Sequence, residues 1–374
     1  YFPHCFASGN GTPVSSASIL SGVQPSRHGI GSGNKVIPDE LPTVPELLQG
    51  AGYRTACISR NSYVSSGTGL DRGFERFKWI SSSSFLNEVP MRTLVKWGVN
   101  IRRHSAGLTT DPAKHATPFL MNDIAKRWLS EFASDEDPFF CYLHYNEPHR
   151  PYYPPLPYLD TYTDEINAGP KEAAEIAMRV HENADQIMAD GCDLSERELE
   201  AIEAMYDAEI RYTDECISRL FDYVQSLDRD IVFVVTADHG ELFCDHGLLA
   251  HRVVVTDSVT HVPLVVHGLD EISDSTDAIV QHVDLATTLV ARAGGSTETF
   301  QGVDLRSENR EGAISQRGPE DFELYLDLNP DFDTDRYHGG LLTSYRTLEY
   351  RFQTSEDRNE LFVPPDEETD VSDE

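Results

Sequence analysis

The stretch from Ser195 to Glu241 constrains the fold most, because it sets a long amphipathic helix directly before an apolar strand. Ser195 and Glu198 have the spacing of a capping box, in which each residue's side chain satisfies the other's free backbone N–H. Leu199, Ile202, Met205, Leu220 and Val224 then fall at helical spacing. The sequence DIVFVVTADHGE follows, and Ile231 to Val235 is continuously apolar and rich in β-branched residues. A strand without polar alternation is one covered on both faces. Helix followed by such a strand is half of a parallel-sheet unit, so the chain is predicted to be α/β, with helices on both faces of a mostly parallel sheet, a three-layer sandwich.

Other segments fit that grammar. TVPELLQGAGYRTACIS (Thr43 to Ser59) reads as helix, turn and strand, PFFCYLHY (Pro138 to Tyr145) as a buried strand, and THVPLVVHG (Thr260 to Gly268) as another. Residues Ile80 to Thr117 are polar and without clear period, and are expected to be an inserted excursion. Residues Thr163 to Asp193 read as helix-prone and acidic, without a strong apolar face. The pattern changes after Arg292. GGLLTSYRTLEYRF (Gly339 to Phe352) suggests short antiparallel strands, and NELFVPPDEETDVSDE an acidic tail. The expected organisation is a catalytic α/β domain over 1–292 and a small antiparallel subdomain over 293–374.

With 30 Lys plus Arg against 63 Asp plus Glu, the net charge is −33, which excludes nucleic-acid binding through a basic face. An acid-coated, lysine-poor chain resembles proteins of salt-accumulating microbes, where salt screens the self-repulsion. No apolar run is long enough to span a membrane. The six cysteines, Cys5, Cys57, Cys141, Cys192, Cys216 and Cys244, are widely spaced, and are expected to be buried thiols in a reducing cytoplasm.

Four clusters carry polar groups suited to chemistry. In GNGTPVSSASILSG a turn leads into a short helix, with Thr12 expected at the N-cap, Pro13 at the first helical position and Gly22 just past the end. A helix N-terminus gathers N–H groups that hold anions, so Thr12 is placed to attack phosphate or sulfate if a metal activates it. TADHGE sets Asp238 and His239 at a strand's exit, a hard oxygen beside an imidazole, as a divalent cation requires. HYNEPHRPYYPP sets His144, Asn146 and His149 beyond another strand, and CDHGLLAHR adds Asp245, His246 and His251. His251 is read as an anion contact and His246 as a brace for its loop. Each cluster also has a plain structural reading, as a helix start, a polar strand exit or a surface loop.

Taken in order, GTPVSSASILSGVQPSRHGI, LPTVPELLQGAGYRTACIS, PFFCYLHYNEPHRPYYPP, YDAEIRYTDECISRLFDYV, VFVVTADHGELFCDHGLLAH, THVPLVVHG, HVDLATTLVARAGG and RNELFVPPDEETDVSDE make the chain resemble the sulfatases of the alkaline phosphatase superfamily. The resemblance implies hydrolysis of a sulfate or phosphate ester of a small molecule or glycan, with a divalent cation, Ca or Mg ahead of Zn or Mn. It implies Asp238 and His239 as metal ligands, with Thr12 both nucleophile and ligand. It implies His149 and His251 as anion contacts, His251 standing where many members carry Lys. It leaves the oligomeric state open.

Two departures qualify this. Most sulfatases read Cys or Ser, x, Pro, x, Arg at the nucleophile, whereas this chain has Thr12, Val14 and Ser16. Oxidation of Thr gives a ketone, not the aldehyde of formylglycine. Thr at this place is similar to the phosphodiesterase, phosphonate-hydrolase and phosphoethanolamine-transferase relatives, and the lost Pro and Arg also fit a non-catalytic binding relative. The second departure is that the family's first strand, which ends in Asp ligands, is expected upstream of Tyr1, in a missing unit of roughly 30 residues or more.

Overall fold

A computed structural model describes residues 1–81, 84–107, 109, 111, 114–272 and 278–372. The chain forms two compact units. The first comprises Tyr1–Thr55, Tyr63–Phe74 and Val232–Glu374, and the second Ala56–Ser62 and Glu75–Ile231.

The first unit holds a four-stranded sheet in the order Phe233–Thr236, His261–His267, Phe2–Phe6, Ile279–Gln281. Three strands share a direction, and His261–His267 runs against both of its neighbours, so the sheet is mixed. Its strand alternates buried Val262 and Leu264 with exposed neighbours, the period-two pattern of a strand covered on one face. Phe2, Cys5, Val262, Leu264, Val280 and Leu285 form the apolar core here. Helices Thr12–Ser21 and His282–Arg292 pack on one another. The second of these helices ends at Arg292, and the residues on both sides of that point lie in the first unit. Beyond it lies the expected antiparallel sheet, Ala313–Arg317, Leu342–Arg346, Arg351–Thr354 and Asn359–Phe362. The acidic tail is docked rather than solvated. Glu367 pairs with the buried Arg351 guanidinium and accepts from the Asp257 amide at 2.9 Å.

The second unit carries the three-stranded sheet Arg76–Trp79, Arg54–Ser59, Phe139–His144, with the first two strands parallel. Helix Glu196–Gln225 opens with the expected Ser195–Glu198 capping box. It packs against helices Pro118–Ala133 and Pro170–Glu182. The latter does bury a face, Ala173, Ala174, Ile176, Ala177 and Val180, because alanines let two helices approach closely. The Ile80–Thr117 stretch is likewise more ordered than expected, with helices at Phe85–Glu88 and Met91–Val99. Residues 82–83, 108, 110 and 112–113 of that stretch lie outside the described residues.

The cysteine expectation needs correction. Cys5, Cys57, Cys141 and Cys216 are free, but Cys192 and Cys244 are disulfide-bonded. Spacing along the chain carries no information on which sulfurs folding brings within bonding reach. Cys5 is inert, since complete burial pushes its thiol far up. No helix among the described residues is long and apolar enough to cross a membrane.

Candidate active site

The strand Phe2–Phe6 leaves the sheet into a glycine turn, then the helix begins. Gly9 is required there, because a Cβ at that position would lie 2.4 Å from the Val14 side chain. The helix starts one residue earlier than expected. Gly11 is the N-cap, its carbonyl accepting from Ser15 N at 3.0 Å, and Thr12 is the first helical residue with Pro13 second. Thr12 therefore does not cap the helix with its side chain, and Gly22 closes it in the left-handed conformation. The Thr12 hydroxyl instead reaches His239, with Oγ1 3.3 Å from Nε2.

His239 is held so as to receive it. Nδ1 lies 2.8 Å from the Gly240 carbonyl, which has no proton to give, so Nδ1 carries the hydrogen. With the hydrogen on Nδ1, Nε2 is the nitrogen left to face the Thr12 hydroxyl. Asp238 Oδ1 accepts from the His239 amide at 3.1 Å, and its Oδ2 lies 3.7 Å from Nε2. Gly240 seats the pair close to the neighbouring backbone: a Cβ there would lie 2.1 Å from the Ser258 carbonyl oxygen, so no other residue fits without moving the chain.

His251 joins from the following loop. Its ring centroid is 4.1 Å from that of His239, and a Cβ placed at Gly11 would lie 3.5 Å from its Cδ2, which puts the ring against the helix N-terminus. The loop is strained: Cys244, His246, Ala250 and Val253 all have positive φ, costly for β-branched Val253 above all. Glu241 accepts from His251 Nδ1 at 3.2 Å. Burial pushes the His251 ring below the usual histidine range, and the Glu241 bond partly opposes that. His246 acts through its backbone, its carbonyl accepting from Tyr337 Oη at 2.8 Å.

Thr12, Asp238, His239 and His251 are thus brought together in the first unit. His149 belongs to the second unit, in the loop after strand Phe139–His144. Its Nδ1 donates to the Arg150 carbonyl at 2.7 Å, which fixes the ring. His144 is a structural partner of Tyr142, at 3.1 Å.

The sequence reading missed three supporting groups. Glu241 was visible only as the last letter of TADHGE. His28 is fully buried under the Thr12 helix and donates from Nε2 to Ser18 Oγ at 3.1 Å. His282 lies 3.0 Å from Thr236 Oγ1, and burial pushes it down to about 4, with the charge of Asp238 pulling the other way.

A carboxylate oxygen beside an imidazole nitrogen with its lone pair outward is the right donor chemistry for a divalent cation. Asp238 and His239 supply two such donors, and among the described residues no cluster of three or more His, Cys, Asp or Glu side chains that could hold a metal ion is assembled.

The sulfatase family's profile matches residues 1–295, and the chain belongs to that family. The uncharacterized sulfatase YidJ of Escherichia coli (strain K12) is 23% identical over 285 residues, 74% of this chain and 57% of that protein. The multifunctional alkaline phosphatase superfamily protein PehA of Trinickia caryophylli is 26% identical over 256 residues, 62% of this chain and 48% of that protein. The chain thus spans about half the length of these relatives. In fold, the phosphonate monoester hydrolase of Agrobacterium radiobacter superposes with a TM-score of 0.72 at 17% identity, covering 100% of this chain and 84% of that one. The α/β architecture with a small antiparallel C-terminal sheet is that of the sulfatase and alkaline phosphatase structures. Superfamily members use divalent metal ions.

Proposed function

We propose that this chain is the catalytic part of a divalent-metal-dependent hydrolase that cleaves a phosphate, phosphonate or sulfate ester by direct attack of the Thr12 hydroxyl. One observation carries the reading: a hydroxyl on the first residue of a ten-residue helix, 3.3 Å from an imidazole nitrogen with an Asp alongside. A capping hydroxyl would turn back to its own helix, whereas this one faces the Asp-His pair.

Asp238 and His239 would hold the cation, which when bound offsets the negative charge developing on the ester oxygens. The chain's own groups supply the rest. The N-terminus of the Thr12 helix favours an anion electrostatically. Nε2 of His239 has one lone pair, so when it holds the cation the Thr12 hydroxyl, 3.3 Å away, would be released from that bond to react at the same place. That oxygen loses its proton as it forms the new bond to phosphorus or sulfur, the bond from that atom to the ester oxygen breaks and the ester oxygen leaves protonated as the alcohol, and water then releases the anion and restores the Thr12 hydroxyl. His251, oriented by Glu241, is assigned to the leaving oxygen, and His149 to the anion.

Thr at this position favours phosphorus esters over formylglycine-dependent sulfate chemistry. A second reading, a non-catalytic anion binder, draws on Ser16. Its hydroxyl is buried without a hydrogen-bond partner among the described residues, where sulfatases carry an Arg.

The test is a metal-dependent panel of aryl sulfate, phosphate monoester and phosphate diester, run on parent and Thr12→Ala in high salt. Turnover in the variant should fall by roughly three orders of magnitude or more. Its melting temperature should hold, because no side-chain cap is lost. Equal rates in parent and variant refute Thr12 as nucleophile. Metal binding with no turnover on any substrate supports the binding protein.

A further inference from the structure

The loop that carries His149 cannot hold itself. Between Glu147 and Pro155 four of nine residues are prolines, Pro148, Pro151, Pro154 and Pro155, which have no N–H to donate. Its few internal bonds include a turn, His149 N to Asn146 O at 2.8 Å, and the His149 ring on Arg150 O. The shape of this loop therefore depends on acceptors from outside it.

Two buried glutamates take part. Glu147, at the start, accepts from the Thr117 amide at 2.7 Å and from the Thr117 hydroxyl at 3.1 Å. Thr117 precedes helix Pro118–Ala133 and makes no side-chain cap of its own, so the Glu147 carboxyl serves as that helix's cap. Glu209, at the far end, comes from the middle of helix Glu196–Gln225. It is 6% exposed, and its Oε1 accepts from the Tyr153 amide at 2.8 Å.

Glu209 is a costly residue for packing alone. It sits on the buried face with Ala208, Tyr212 and Thr213, and its Oε2 is buried with no hydrogen-bond partner among the described residues. An apolar side chain would fill that place without desolvating a carboxyl. What the glutamate adds is an acceptor for one loop amide. Burial, with the Glu147 charge adding to it, pushes the Glu209 carboxyl well above the usual carboxylate range, and glutamine copies its shape while keeping an acceptor oxygen for the Tyr153 amide. Arg60 lies beside Glu147, where the two charges favour each other.

We infer that Glu209 and Glu147 are positioning residues that clamp the two ends of the Glu147–Tyr153 loop and so fix His149 for substrate binding. The inference rests on the reading of His149 as an anion contact. It assigns the pair to binding rather than to bond breaking, so KM is the parameter they move.

The experiment compares the full chain with Glu209→Met, Glu209→Gln and His149→Ala. Met fills the same volume without an acceptor, and Gln keeps the acceptor. Two quantities are read: hydrogen exchange of the loop amides around Tyr153, and steady-state kinetics on whichever ester of the panel is turned over. Glu209→Met should exchange roughly tenfold faster at the loop and raise KM roughly tenfold, with kcat within about threefold, the size of one lost hydrogen bond. Glu209→Gln should return both to within about twofold of the parent. Should Glu209→Met fail to fold, Glu147→Gln, which loses one of the acceptor oxygens that Thr117 uses, must raise KM in the same way. Parent exchange and parent KM in Glu209→Met overturn the positioning role, as does a Gln variant as impaired as Met. Parent KM in His149→Ala overturns the reading of His149 itself, and the positioning role with it.

Discussion

Acid should loosen the helix that carries Thr12, and His28 is the reason. The ring is completely buried beneath that helix. Nδ1 accepts from the Ile30 amide at 3.0 Å, and an amide can only donate, so Nδ1 has no hydrogen and Nε2 carries the one given to Ser18. A second proton would have to enter at Nδ1, against the Ile30 N–H. Burial accordingly lowers the ring from 6.5 to about 4, the Val14 backbone opposing only in part. In the unfolded chain the ring titrates normally, so between pH 6.5 and 4 the unfolded state binds more protons. Stability from this group is complete above pH 6.5 and is lost as pH falls through that window. The loss is about 2 kcal/mol by pH 5 and about 3 kcal/mol near pH 4, at 1.36 kcal/mol per unit. The assay is chemical denaturation of parent and His28→Asn at pH 7 and pH 5 in high salt. Asn keeps an acceptor near the position of Nδ1 but does not titrate. The variant is less stable at pH 7, and the parent should lose about 2 kcal/mol more than the variant on going to pH 5. Equal losses in the two proteins, or an NMR titration of the His28 ring near 6.5, refute the argument.

Other outcomes follow from the Asp238–His239 pair and from the charge. Asp238→Ala and His239→Ala should each abolish binding of Ca, Mg, Zn or Mn measured by calorimetry, and activity with it. A fully metal-loaded Asp238→Ala protein would contradict the ligand assignment. With net charge −33, the melting temperature should climb with KCl from 0.1 M to molar concentrations, as the screening length falls from ~10 Å to ~3 Å. A midpoint independent of salt would remove the link between acidic composition and salt adaptation.

Local chemistry was legible in the letters. The capping box at Ser195, the strand at Phe233–Thr236, the glycine that ends the Thr12 helix and the position of Asp238 and His239 just past that strand all follow from rules that act within a few residues. Sequence order also tied the chain to its family. What the letters left undetermined involves residues far apart in the chain. Thr12 meets His239 across 227 positions, so its rank as first helical residue rather than cap matters only once that partner is in place. The reversed strand His261–His267 reads like its neighbours, since hydrophobicity has a period but no direction. Cys192 and Cys244 are disulfide-bonded, which their spacing could not reveal. Glu209, a polar letter on an amphipathic helix, looks like a solvated residue until the fold turns it inward to a loop amide. Burial and distance decide such roles, and both are properties of the packed chain.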